Sequence, residues 1–215
     1  MDDKQYVKAP IRYGRLSKSW ENSYTMIFYA GRRDEQLGQA IVVPCAQDVI
    51  TGQDLIKEAM CLWNAEARNH KNQNSSVTSK TWGCVTLLKN PGRSISGDLL
   101  DCWTRHVSKE KETDNRKNII SAYCNEDVLS QSGFLEIPWP KADDGSDLDF
   151  DALLATATCP KPDKGRYPSA QDVAEAAYES GKGRTYFWRN RKHGIETFQD
   201  AEIEYWLAKL DDKGK

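Results

Sequence analysis

The ten residues from Arg184 to His193 (RTYFWRNRKH) interleave three aromatic rings with four cationic side chains and a histidine. Arginine forks match phosphate geometry, a lysine supplies a point charge, and aromatic faces stack on bases. The candidate ligand-binding residues are therefore Arg184, Tyr186, Trp188, Arg189, Arg191, Lys192 and His193. The chemistry they fit is a phosphate-rich ligand, either single-stranded nucleic acid or a nucleotide. In the competing reading, Phe187 and Trp188 anchor a connecting segment in the core while the charges stand in water.

A second basic stretch lies near the start of the chain, where Lys4, Lys8, Arg12, Arg15 and Lys18 alternate with Tyr6, Tyr13 and Trp20. It extends the first patch if the two meet in space, and is otherwise a solvated leading segment. His106 and Glu110 stand four apart on a predicted helix, so they share a face, and a carboxylate can orient an imidazole for acid–base work. Such i,i+4 polar pairs are also everyday features of exposed helices. Asp147, Asp149 and Asp151 have the alternate spacing that opens a calcium-binding EF-hand loop. Ala152 stands where the loop glycine belongs and Thr158 where its closing glutamate belongs, so the pattern fails.

Other signatures of site chemistry are missing. Neither a phosphate-binding glycine loop nor a GxSxG elbow is present, and the three histidines lack metal-ligand spacing. The closest two of the six cysteines are sixteen residues apart, so no CxxC pair exists. They read as free thiols in a reducing compartment. No metal and no cofactor is expected.

The elements that position these residues follow from periodicity and turn chemistry. Strands are predicted over 23–30, 38–44 and 82–88, with 31–35 as a hairpin loop between the first two. Shorter strands are expected at 119–123 and 134–137. Apolar residues at helical spacing predict helices over 52–69, capped by Thr51, and 97–112, capped by Ser96. Further helices are expected at 148–157, at 170–180 behind Ser169, and from Thr197 through Leu210. Gly181-Lys182-Gly183 reads as a helix break, which leaves 185–188 as strand or aromatic anchor. The stretch 71–79 reads as an exposed loop.

Strands mostly precede helices, which argues for α+β and against regular βαβ winding. The expected fold is an antiparallel or mixed sheet packed with about four to five helices in one domain, 1–215, with an irregular proline-rich segment at 159–168. A net charge of −2 leaves no global basic excess, so any anion-binding face must be local. No apolar run is long enough to span a membrane and the first residues lack a secretory signal, so the expected location is cytoplasmic. The expected function is a non-enzymatic binding or accessory protein that engages nucleic acid or another protein through the basic-aromatic segment. The alternative is a metal-independent small-molecule enzyme whose site gathers distant polar groups such as His106, Glu110 or His193.

Overall fold

A computed structural model describes residues 4–30, 36–67, 77, 82–113, 128–162 and 165–213. The fold class is α+β. Five α-helices and three two-stranded antiparallel sheets are present among the described residues. They gather into two compact units, each built from segments far apart in sequence.

The first unit draws on 1–42, 140–146 and 160–215. Strand β1 (Gln5–Ala9) pairs with β4 (Gly38–Val42), and β2 (Ile11–Ser17) pairs with β3 (Ser23–Phe28). The expected hairpin between β3 and β4 is therefore corrected, since each finds its partner in the N-terminal segment. That segment is no solvated leader either. Val7, Ala9, Ile11 and Tyr13 alternate inward at strand period and are buried, while charged residues fill most positions between them. Three helices complete the unit: α3 (Ala170–Glu179), α4 (Gly181–Lys192) and α5 (Asp200–Lys213). Their core is Tyr13, Ala170, Val173, Ala174, Ala177, Phe187, Ile203 and Leu207.

The second unit draws on 43–139 and 147–159. It holds α1 (Gly52–Ala67), α2 (Gly97–Thr113), β5 (Gly83–Lys89) and β6 (Ala152–Thr158). β6 occupies most of the segment expected to be a helix. Its sequence ALLATAT favours a helix locally, but full-length pairing with β5 supplies ladder hydrogen bonds and burial that outweigh this preference. The 134–137 segment makes only isolated bridges, Leu87 with Phe134 and Leu129 with Leu135. The expected strand at 119–123 and most of the 71–79 loop lie outside the described residues. Val77 in that loop is fully buried, contrary to the exposure expected there.

Among the described cysteines Cys84 is buried, whereas Cys45 and Cys61 are exposed. No helix among the described residues is long and apolar enough to cross a membrane.

Candidate functional site

Residues 181–192 form a helix where the two glycines suggested a break and the aromatic run a strand. Ser180 decides this locally. Its extended backbone ends α3, and its hydroxyl accepts the Gly183 amide at 2.9 Å, an N-cap for α4. The Glu21 carboxylate accepts the Lys182 amide at 3.4 Å, which puts negative charge at the positive end of the helix. That hydrogen bond, with others from the Lys182 and Ser180 side chains, holds the Glu21 carboxyl below its usual range. At the other end Gly194 has φ +75, and its amide meets the Arg191 carbonyl while the Ile195 amide meets that of Asn190. This is a Schellman stop, which leaves His193 as the C-cap.

Helical geometry then sorts the segment's side chains into three sides. Gly183 and Phe187 face the core and are buried. Tyr186 borders them: its hydroxyl accepts the Met26 amide at 3.3 Å, and its ring tilts against Trp20 with centroids 5.1 Å apart. It is half-buried and packed against the core. Arg184 and Arg191 form a second side, turned to α5. Arg184 grips Asp211 through two hydrogen bonds of 2.9 and 2.6 Å, and this pairing raises its already high pKa. Arg191 meets Glu204 at 2.7 Å and Glu196 at 2.6 Å. Two of the four expected cations thus already hold carboxylates.

The third side faces water. Thr185, Trp188, Arg189 and Lys192 follow one another at i, i+3, i+4 and i+7, with His193 at the end of the row. Trp188 is 44 % exposed, its ring set edge-on against Phe187 at 5.1 Å. Arg189, Lys192 and His193 are exposed too. An open depression of about 610 Å³ runs along this side, walled by Arg184, Trp188, Arg189 and Lys192, and no carboxylate among the described residues lines it. Of the seven residues expected from the sequence, the structure joins Trp188, Arg189, Lys192 and His193 on one free face. Arg184 stands at its margin, while Tyr186 and Arg191 point elsewhere.

The remaining expected groups do not add to this face. Arg12 is held against Tyr29, Tyr167 and Phe198, with 4.6 to 5.7 Å from guanidinium to ring centroids, and burial lowers its pKa. Tyr13 is core. In the second unit, His106 Nε2 lies 3.3 Å from a Glu110 oxygen, within ion-pair range but without hydrogen-bond geometry. That same oxygen accepts the Val77 amide at 2.6 Å, so Glu110 fastens Val77 into the core. Neither the α4 depression nor a second one of about 460 Å³ beside Asn90 and Arg93 is lined by His106 or Glu110. The carboxylates of Asp149 and Asp151 are both taken by Arg93. Among the described residues, no three metal-ligating side chains converge.

No family model matches the chain, and no curated protein or solved structure is found to match it either. The reading of the site therefore rests on its own chemistry.

Proposed function

We propose that this chain is a non-enzymatic binding protein that engages single-stranded nucleic acid through the outer face of α4. One observation carries the reading: Trp188 stays 44 % exposed beside Arg189 and Lys192 on a face that no carboxylate among the described residues lines. A tryptophan so placed offers a flat stacking surface, and each base stacked on an aromatic ring contributes roughly 1–3 kcal/mol. The flanking cations reach phosphates on either side of that base and release counterions as they do so. The depression is open, as an extended strand requires, and lacks the enclosing walls that a small substrate would need. The enzyme alternative has less support: of its named groups only His193 lines the α4 depression, and the His106–Glu110 pair lines neither depression.

Binding of labelled single- and double-stranded DNA and RNA oligonucleotides tests the proposal. Single strands are expected to bind at low salt and to weaken as salt rises. Trp188→Ala should lower the affinity by roughly tenfold at fixed salt, the stacking of about one base. Absence of binding at low salt would overturn the nucleic-acid reading and turn attention to an acidic protein partner. Unchanged affinity in the variant would remove Trp188 from the site.

A further inference from the structure

A buried carboxyl lies behind α4, on the side away from its exposed face. Asp200 opens α5 and is only 2 % exposed. Its Oδ1 accepts the Thr197 amide at 2.9 Å and the Thr197 hydroxyl at 2.5 Å, which closes the turn that leads into the helix. Its Oδ2 is buried with no hydrogen-bond partner. The Tyr13 hydroxyl on β2 and Asn190 Nδ2 on α4 share that condition. A buried polar atom that finds no protein partner is costlier to bury than a paired one, and for a carboxylate oxygen the cost falls on the charged form.

The charges around Asp200 do not offset this. Arg191 of α4 attracts its carboxylate, but that guanidinium is already shared between Glu196 and Glu204. Glu196, in the turn before α5, repels it. From β2 comes Tyr13, whose hydroxyl feels Asp200, Tyr186 and Arg191 and is pushed well above its usual pKa, chiefly by burial. Arg12, next on that strand, is held instead by its three aromatic neighbours. α3 contributes Ala170, Val173 and Ala174 to this core, none of them titratable.

We propose that Asp200 is a proton-responsive latch, which when protonated seats the N-terminus of α5 in the core shared with β2 and α4, and when ionised loosens that seat. Burial, working against the Thr197 hydrogen bonds, moves its carboxyl from 3.8 to about 6. A carboxyl whose pKa is higher in the folded state binds its proton more tightly there than in the unfolded chain. Its contribution is thus full below 3.8 and is lost as pH rises through about 6. α5 carries Glu204 and Asp211, the partners of Arg191 and Arg184, so the helix that the latch seats is tied by these ion pairs to α4, which bears the exposed face. The inference holds whatever ligand that face takes.

Urea unfolding of the full chain and of Asp200→Asn, between about pH 4 and pH 8, tests the latch. Asparagine keeps an acceptor for Thr197 and cannot ionise. The unfolding equilibrium constant of the unsubstituted protein is expected to rise about 100-fold more than that of the variant over this range, roughly tenfold for each pH interval of one between the unfolded and folded midpoints. Parallel pH profiles would overturn the proposal. Should Asp200→Asn fail to fold, a carbon-13 titration of the aspartate carboxyls in the unsubstituted protein decides the matter. A midpoint near 6 for Asp200 supports the latch, and one near the ordinary 3.8 overturns it.

Discussion

Replacing Arg189 and Lys192 together by alanine is expected to weaken single-strand binding by roughly tenfold or more, and to flatten its salt dependence. Each phosphate contact on a single strand contributes about 0.7 to the slope of log affinity against log salt, so the slope should fall by about 1.4. Arg191→Met makes the opposite prediction, although Arg191 stands among the same ten residues. Its guanidinium is turned to Glu196 and Glu204 and is only 27 % exposed. Its loss removes the cation that those carboxylates, and Asp200 behind them, share. The expected result is a loss of about 1–3 kcal/mol in stability with the salt slope unchanged. A slope that falls in Arg191→Met and persists in the double variant would contradict the division of α4 into a pairing side and a free side.

Gly183→Ala is expected to destabilise the first unit by about 2 kcal/mol, despite alanine's better helix propensity. A β-carbon at this position would collide with the Ser23 hydroxyl and stand 2.5 Å from the Ser23 β-carbon and 3.3 Å from the Ala177 α-carbon. Ser23 cannot simply turn away. It is buried on β3, and its hydroxyl donates to the Ala176 carbonyl of α3. Gly183 is therefore a point where α4, α3 and the β2–β3 sheet approach closely, which constrains where the Trp188 face stands. Ser23→Gly in the same chain should recover most of the loss by vacating the contested space. Thermal unfolding of the two variants measures both effects. A Gly183→Ala protein as stable as the parent would mean that α4 does not pack this closely.

Capping chemistry marked three of the helices that could be read from the sequence. Thr51 and Asp54 exchange hydrogen bonds at the start of α1, as do Ser169 and Asp172 at the start of α3, and Thr197 with Asp200 marks the start of α5. β3, β4 and β5 were legible as runs of β-formers, but their partners were not. Pairing is decided by contacts between distant segments, and β1 and β2 were masked by the charged residues set between Val7, Ala9, Ile11 and Tyr13. The period of two was present there and outweighs composition as a signal. At α4 the glycines misled. Ser180 followed three residues later by Gly183, the four-residue step from Gly183 to Phe187, and Gly194 after the basic run were together the marks of a capped helix. The basic-aromatic composition of the candidate site was legible, whereas its division was not. Nothing near Arg184 or Arg191 announces that Asp211 and Glu204, 27 and 13 residues farther on, will neutralise them.

The most direct test of the central claim is ultraviolet cross-linking of the full chain to a single-stranded oligonucleotide at low salt, with the modified residue located by mass spectrometry. Stacking of a base on the free face of α4 predicts an adduct on Trp188, suppressed by excess unlabelled single strand and by raised salt. Efficient cross-linking at other aromatic residues with Trp188 unmodified would contradict the account, as would the absence of any salt-sensitive adduct.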